Sequence, residues 1–312
     1  MIESTIGADC GAVSAAGSVA ASGVVMSQRV GFVGLGNIGK PMALRLLEAG
    51  LPTTVFDVAR APVAELVAAG AKAASSAREL AAESDVIGVC VRDDADVMAV
   101  VSGDEGLLAG AAPGAVVALH STILPRTVHA VARLAEDRGV GVIDAPMTGG
   151  AFGATRGTLT YMVGGAPEHL ERCRPAIETS AAKIVHAGEL GSGAAVKLCN
   201  NLMTYLGFTA AFEAMLLADA SGLSQKALHE VTRSNGNLND QQAAFLGIYS
   251  ASAGKRHDEG FQALLRSFAD LAEKDLAVTL AFARENGVTL PATGLCQQLM
   301  ARVYNVRDDR RR

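Results

Sequence analysis

The residues VGFVGLGNIGKP, at positions 30–41 of a 312-residue chain, give the clearest indication of its fold. Its first four residues form an apolar run typical of a buried strand, and the next six match the pattern GxGxxG. A helical pattern over Ile38–Glu48 follows and ends just before Gly50, as a helix with a glycine cap does. A second apolar run, Thr53–Phe56, leads to Asp57. This order of strand, glycine loop, helix, strand and acid predicts a dinucleotide-binding βαβ unit.

The glycine loop and Asp57 are the predicted cofactor-binding residues of this unit. Glycines let the backbone approach a diphosphate, and the helix that follows offers amides and a positive dipole end. Asp57 stands where a carboxylate accepts hydrogen bonds from the adenosine ribose; its charge favours NAD over NADP, although Arg60 weakens that preference. An ordinary turn residue is the alternative interpretation of Asp57. The loop residues expected to contact the cofactor are Gly34, Leu35, Gly36, Asn37, Ile38 and Gly39.

A phosphate-binding loop of an ATPase is the competing interpretation of the same residues. The stretch from Gly34 to Lys40 matches GxxxxGK, the beginning of a P-loop. A P-loop continues with a Ser or Thr whose hydroxyl holds magnesium, whereas this chain has Pro41. The sequence therefore argues against an ATPase and favours the dinucleotide site.

The alternation of strands and helices continues along the front half of the chain. Further apolar runs at Val86–Val91, Val116–Leu119 and Val140–Ile143 are separated by helical segments. The pattern predicts an α/β fold with a Rossmann-like, doubly wound parallel sheet in a domain of residues 26–190. Residues 1–25 are rich in Ala, Gly and Ser, lack the pattern of a signal peptide, and are expected to form a disordered extension.

The back half of the chain predicts only helices. No strand pattern returns after Asn201, so we expect an all-helical second domain of residues 191–306, entered by a long helix from about residue 193. Residues 307–312 form a charged tail. The helical patterns cover Leu202–Ala220, Ser224–Arg233, Gln262–Asn286 and Ala292–Val306.

Composition argues against several classes of partner. The chain has 27 basic and 32 acidic residues, so no basic face for nucleic acid or anionic membranes is expected. Gly, Ser or a charge interrupts every long apolar run, so no membrane-spanning helix is predicted. The five cysteines are scattered, and no His or Cys spacing is typical of zinc; this predicts a reduced, cytoplasmic protein without a bound metal.

Four ordered motifs resemble those of a known enzyme family. DAPMTGG at 144–150 and GTLTYMVGG at 157–165 are followed by GSG at 191–193 and KLCNN at 197–201. With the glycine loop, they resemble the β-hydroxyacid dehydrogenase family, which includes 3-hydroxyisobutyrate dehydrogenase and tartronate semialdehyde reductase, from about residue 29 to residue 302. The resemblance implies an NAD-dependent oxidoreductase of a small 3-hydroxy acid or its semialdehyde.

The resemblance also implies a catalytic and a substrate-binding group. Lys197 and Asn201 are four residues apart, so on a helix they share one face. By resemblance Lys197 is the general acid/base, and Asn201 orients it and the substrate. Thr148, with the backbone amides of Gly149 and Gly150, would bind the carboxylate of the substrate.

Three more positions are carried over from the family. Thr122, in a Ser-Thr pair, would lie near the nicotinamide, and Lys274, in a Lys-Asp motif, would reach cofactor and substrate. Val91 would contact the cofactor, although this chain has Val91-Arg92 where the family commonly has Leu-Pro. The polar stretch Asn235–Asp240 is interpreted either as a lining of the substrate pocket or as a hydrated turn.

The sequence leaves other functions as alternatives. Imine reductases share the scaffold but typically replace the catalytic lysine, so Lys197 argues against imine reduction. Reduction of another small carbonyl and a non-catalytic dinucleotide-binding module are the remaining candidates. 6-Phosphogluconate dehydrogenase shares the motifs but is substantially longer. The family's helical domains pair subunits, which implies a homodimer or homotetramer.

Overall fold

The computed structural model describes residues 28–307 except Arg256. The expected disordered extension, residues 1–25, lies outside the described residues, as do residues 308–312 of the tail.

The described residues of the front half form one mixed sheet with helices on both faces. The strands follow the order β3-β2-β1-β4-β5-β6-β8-β7, and β9 pairs with β8. The strands are β1 (Val30–Val33), β2 (Thr53–Phe56), β3 (Lys72–Ala73), β4 (Val86–Val89), β5 (Val116–Leu119), β6 (Gly141–Asp144), β7 (Met147–Thr148), β8 (Leu159–Gly164) and β9 (Ala181–Gly188). The helices are α1 (Gly39–Glu48), α2 (Arg60–Ala68), α3 (Ala77–Ala82), α4 (Asp94–Val101), α5 (Leu107–Gly110), α6 (Pro125–Glu136), α7 (Gly150–Arg156) and α8 (Pro167–Glu178).

The predicted Rossmann-like class is confirmed, but the sheet is not parallel throughout. Strands β1 to β6 pair in parallel, whereas β8 runs antiparallel to both β6 and β7. Residues 149–158, which join β7 to β8, are too few for a parallel crossover. The longer connection through α8 does allow β9 to pair in parallel with β8. The predicted strand ends at Val91 and Val140 are also wrong by one or two residues.

Two apolar layers bury the sheet. All residues of β1, β4 and β5 are buried, as strands covered on both faces are. One layer packs Met42 and Leu46 of α1 and Leu170 of α8 against the sheet. The other layer, from α3 to α6, includes Leu80 and Val128. This double cover holds the carboxyl ends of the strands, where the candidate site lies, in a fixed arrangement.

The back half is helical, as predicted, and contains one helix that the sequence patterns did not indicate. Helix α11 occupies a stretch assigned to no element, and a capping box between Asn239 and Gln242 begins it. The long helix from about residue 193 is confirmed as α9. The helices are α9 (Ser192–Ala220), α10 (Gln225–Ser234), α11 (Asp240–Gly254), α12 (Glu259–Glu285) and α13 (Pro291–Val303). Their common core includes Tyr205, Phe245 and Leu276.

Helix α9 differs from the expectation that no segment has the length and hydropathy of a membrane span. Its 29 residues include an 18-residue window of mean hydropathy 1.2, of which 33% is buried inside the protein. The helix packs against β8, α12 and α13. In this structure α9 is therefore the element that joins the sheet to the other helices.

Candidate functional site

The glycine loop has the geometry that a bound dinucleotide requires. A Cβ at Gly34, which has φ +89°, would lie 2.2 Å from the Cys90 carbonyl oxygen, and one at Gly39 would lie 1.9 Å from the Gly34 oxygen. These two glycines are required by the packing of the loop itself. A Cβ at Gly36, by contrast, would meet no described atom within 4 Å. The open side at Gly36 and the uncapped start of α1 leave room for a diphosphate, so the loop fits the cofactor.

Asp57 is fixed by backbone amides beside this loop. Its Oδ2 accepts a hydrogen bond from the Leu35 amide at 2.6 Å, and its Oδ1 accepts one from the Ala59 amide at 2.7 Å. Asp57 and Gly34 line an open cleft of about 1050 Å³, here called the Asp57 cleft, together with Ser75, Ser76, Val91 and Arg92. A partly exposed carboxylate with free lone pairs in such a cleft fits the ribose of an adenosine half.

A second cavity, here called the Lys197 cavity, has a volume of about 290 Å³ and lies between the sheet and the helices. It brings together residues that are far apart in the sequence. The predicted site residues in its lining are Ile38, Val91, Thr122, Thr148, Gly149, Gly150, Lys197, Asn201 and Lys274. Gly34 and Asp57 line the Asp57 cleft. The other predicted site residues are the rest of the glycine loop: Leu35, Gly36, Asn37 and Gly39.

Lys197 projects from the second turn of α9 into this cavity. Its Nζ donates a hydrogen bond to the Met147 carbonyl oxygen at 2.7 Å. Burial lowers the pKa of the Lys197 ammonium; the charge of Asp275 raises it, and the charge of Lys274 lowers it. A lysine with a lowered pKa has more of the neutral amine near neutral pH, which is the form that accepts a proton.

Asn201 lies on the same face of α9 as Lys197, which it was expected to orient. Its amide is instead held by Asp275. Its Nδ2 donates to Asp275 Oδ2 at 2.8 Å, and the Tyr205 hydroxyl donates to the same oxygen at 3.2 Å. The Lys274 ammonium lies 2.7 Å from Asp275 Oδ1 and donates to the Thr122 carbonyl oxygen at 3.1 Å. A buried carboxylate therefore links α9, α12 and the segment after β5.

Asp275 and Tyr205 are the site residues that the sequence analysis missed. Asp275 is only 3% exposed, and a carboxylate so deeply buried requires partners such as these. Burial and the adjacent Asp275 charge raise the pKa of Tyr205 well above its ordinary value, so its hydroxyl keeps its proton. Two signals were available: Tyr205 continues the four-residue spacing from Lys197 and Asn201, and Asp275 directly follows Lys274.

The acid of the DAPMTGG motif anchors the helix that carries Lys197. Asp144, 1% exposed at the end of β6, accepts hydrogen bonds from the Gly191 amide at 2.8 Å and the Ala194 amide at 2.6 Å. Burial raises the pKa of Asp144, and these amides oppose that rise. At Gly193 a Cβ would lie 2.3 Å from the Met162 carbonyl oxygen. The start of α9 is thus packed directly on the sheet.

No residue of the polar stretch Asn235–Asp240 lines the Lys197 cavity. In the polar stretch before α11, Asn237 and Leu238 line a separate groove, so the pocket-lining interpretation is wrong for them; Gln241, one residue past that stretch, enters the Lys197 cavity instead. His120 also lines the cavity, and burial lowers its pKa to about 4. Within residues 28–307, no group of three or more His, Cys, Asp or Glu side chains is arranged to hold a metal ion.

Known proteins resemble the chain over both halves. Residues 29–188 match the family model described as the NAD binding domain of 6-phosphogluconate dehydrogenase, and residues 191–311 match that of the NAD-binding region of NADP-dependent 3-hydroxyisobutyrate dehydrogenase. An NAD-dependent L-serine dehydrogenase of Pseudomonas aeruginosa is 37% identical over 289 residues, covering 90% of this chain and 95% of the relative. A 3-hydroxyisobutyrate dehydrogenase of the same species is 34% identical, with 87% and 91% covered.

A solved structure has a similar fold. The 3-hydroxyisobutyrate dehydrogenase of Mycobacterium tuberculosis, described with L-serine, superimposes with a TM-score of 0.73 at 30% identity, covering 89% of this chain and 94% of that chain. The fold, the glycine loop and these matches define an NAD-dependent oxidoreductase. The chain belongs to the β-hydroxyacid dehydrogenase family, whose substrates are small hydroxy acids.

Proposed function

We propose that the enzyme oxidises the primary alcohol of a small 3-hydroxy acid to its semialdehyde with NAD, or catalyses the reverse reduction. The observation that carries the proposal is the Lys197 cavity, because it collects an amine, an amide and two glycines at positive φ in one space beside the cofactor loop. The relatives that act on L-serine and 3-hydroxyisobutyrate support a substrate of this size.

The carboxylate of the substrate is assigned to Thr148, Gly149 and Gly150. The two glycines have φ values of +124° and +62°, which only glycine adopts readily in such succession. A Cβ at Gly150 would meet no described atom within 4 Å, so the backbone there is open to a ligand. A hydroxyl with two accessible amides forms a suitable site for an anion.

Lys197 is assigned the proton transfer. Bound NAD supplies the acceptor for the hydride that leaves the alcohol carbon. In the oxidation, the neutral Lys197 amine takes the hydroxyl proton; in the reduction, the ammonium returns it to the carbonyl oxygen. The hydrogen bond to the Met147 oxygen orients the amine, and Asp275 holds the Asn201 amide so that its orientation toward the substrate oxygen is fixed.

Asp57 is assigned the choice of NAD over NADP. Its two oxygens are each held by a backbone amide, so the charge cannot turn away from an incoming 2′-phosphate. The ribose hydroxyls of NAD, in contrast, donate to the remaining lone pairs. Arg60, at the start of α2, is exposed. We therefore assign the choice of NAD over NADP to Asp57 and not to Arg60.

The test is a parallel assay of NADH and NADPH oxidation and of the reverse reaction. The substrates are methylmalonate, tartronate and succinic semialdehydes, glyoxylate, L-serine and 3-hydroxyisobutyrate. We expect turnover of a semialdehyde with NADH, or of the corresponding 3-hydroxy acid with NAD. Turnover with none of them, despite measurable NADH binding, would overturn the assignment of the substrate class.

The organisation of the protein is part of the same proposal. We place a dinucleotide-binding domain at residues 26–190 and a helical domain at 191–306, and the ranges of the two family models support this division. Exposed apolar side chains on the helices, among them Met203 and Leu217 at 74% and 69%, support a homodimer or homotetramer. A cytoplasmic location agrees with the free thiols of Cys90 and Cys296.

A further inference from the structure

Arg92 stands where the two cavities meet. Of the residues that line the Asp57 cleft and the Lys197 cavity, Val91 and Arg92 are common to both. A dinucleotide with its adenosine half beside Asp57 and its nicotinamide half beside Lys197 passes this junction with its diphosphate, because the diphosphate connects the two halves. With a dinucleotide in this position, the Arg92 side chain would be adjacent to the diphosphate, the most negatively charged part of the cofactor.

The glycine loop provides no cationic side chain to pair with the diphosphate. The loop itself contains no charged residue, and no side chain caps the start of α1. Lys40, the next residue along α1, pairs instead with Glu65 at 2.7 Å. Backbone amides neutralise part of the charge of a diphosphate, and a cation beside them adds a charge-assisted contact.

The Arg92 side chain is held by one partner, Asp96, whose side chain is 31% exposed. Its Nε donates to Asp96 Oδ2 at 2.7 Å and its Nη2 to Asp96 Oδ1 at 3.2 Å, with the Arg92 side chain 84% exposed. The neighbouring acids serve the backbone: Asp93 accepts from the Asp96 amide, and Asp94 accepts from the Leu124 amide. An exposed ion pair of this kind is weak, so Arg92 can exchange its partner at little cost.

We propose that Arg92 is a further cofactor-binding residue, which leaves Asp96 and pairs with the diphosphate of bound NAD(H). The guanidinium fork that now spans two carboxylate oxygens fits two phosphate oxygens with the same geometry. Asp96 acts as a competitor that holds the side chain at the junction until the cofactor arrives.

The experiment measures ligand dissociation constants of the full-length protein, without any substrate. NADH and NADPH are titrated by their fluorescence, and ADP-ribose and adenosine by displacement of NADH, for the wild type, Arg92→Gln, Arg92→Lys and Asp96→Asn. Arg133→Gln, on the exposed face of α6, is the charge-matched control. Thermal unfolding of each variant confirms that it is folded.

We expect Arg92→Gln to raise the Kd of NADH and ADP-ribose about tenfold, leave that of adenosine unchanged, and flatten the dependence of binding on salt. Arg92→Lys keeps part of the affinity, and Asp96→Asn, which frees Arg92, lowers the Kd. Equal weakening by Arg92→Gln and Asp96→Asn would indicate a purely structural pair and overturn the proposal. So would a larger loss for NADPH than for NADH, because that pattern locates Arg92 at a 2′-phosphate.

Discussion

The sheet and the helices contribute different kinds of chemical group to the site. From the sheet come mainly backbone groups at strand ends: the glycine loop after β1 and the glycines after β7. From the helices come side chains, of which Lys197 and Asn201 lie on α9 and Lys274 and Asp275 on α12. The positions of the backbone groups depend on where the chain turns. The positions of the side chains depend on how two helices that are far apart in the sequence pack together.

This difference predicts that substitutions in the two regions affect different measurements. Changes in the glycine loop should weaken cofactor binding, because the loop shape is the binding site. Changes at Lys197, Asn201 and Asp275 should slow turnover and leave NADH binding intact. The four predictions that follow test this separation.

The strongest test is Lys197→Ala. Loss of the acid/base should lower kcat by about 10²–10⁴-fold, while the Kd of NADH stays within about twofold of the wild type. Stopped-flow turnover and NADH fluorescence measure the two quantities. Lys226→Ala, an 85% exposed lysine on α10, is the matched control and should behave as the wild type. A Lys197→Ala enzyme with a tenth or more of the normal kcat would contradict the assigned role.

Two glycine-to-alanine substitutions examine the glycine loop. Gly36→Ala places a methyl group in the open space of the loop; we expect the Kd of NADH to rise at least about tenfold with no change in Tm. Gly39→Ala forces a Cβ to 1.9 Å from the Gly34 oxygen and should also cost about 1–3 kcal/mol of stability.

Gly247→Ala, in α11 with no described neighbour within 4 Å of its Cβ, is the control for both variants. Calorimetry and NADH titration measure the effects. If Gly36→Ala bound NADH as tightly as the wild type, the cofactor would not approach the loop at this residue.

Asp275→Asn tests the network between the helices. The Asp275 charge raises the pKa of Lys197, so removing that charge should lower the pKa. In the oxidation, kcat rises with pH as Lys197 loses its proton. We expect this rising limb of the pH profile to move to lower pH in the variant. We also expect kcat to fall about tenfold, since Lys274 loses its buried ion-pair partner. Tyr205→Phe keeps the carboxylate and should leave the limb in place. A limb that moves to higher pH in Asp275→Asn would refute the electrostatic argument.

The smallest expected effect belongs to Asp57→Asn. The amide keeps an oxygen for the Leu35 amide but removes the charge, so NADPH should bind about fivefold more tightly while NADH changes little. Titration of both cofactors measures the ratio. An unchanged ratio would assign cofactor choice to other residues.

The same difference between the regions explains what the sequence could predict. The glycine loop, Asp57 and the five central parallel strands follow from local patterns, because each is set by residues close together in the chain. The antiparallel β8 did not follow, since its pairing depends on the length of a connection and not on its own residues. Asp275 was missed because its partners, Asn201 and Tyr205, are 70 or more residues away.

The resemblance to a family identified site residues that local sequence patterns do not predict. Lys197 on its own resembles any helical lysine, and only the order of motifs singles it out. The same resemblance did not predict that the Asn201 amide would turn to Asp275. Helix α11, in contrast, carried a local signal, the spacing of Asn239 and Gln242 that forms its capping box.

Asp144 fixes the start of α9 to the sheet, so a rotation of the helix about that end displaces each residue in proportion to its distance from it. At 1.5 Å per residue, the helix is about 44 Å long and Lys197 lies only about 8 Å from its fixed end. A swing of about 5° about that end moves Lys197 by about 0.7 Å but the far end by nearly 4 Å, so about a sixth of the displacement reaches the amine. Any rotation of α9 about its fixed end therefore displaces the Lys197 amine much less than the far end of the helix.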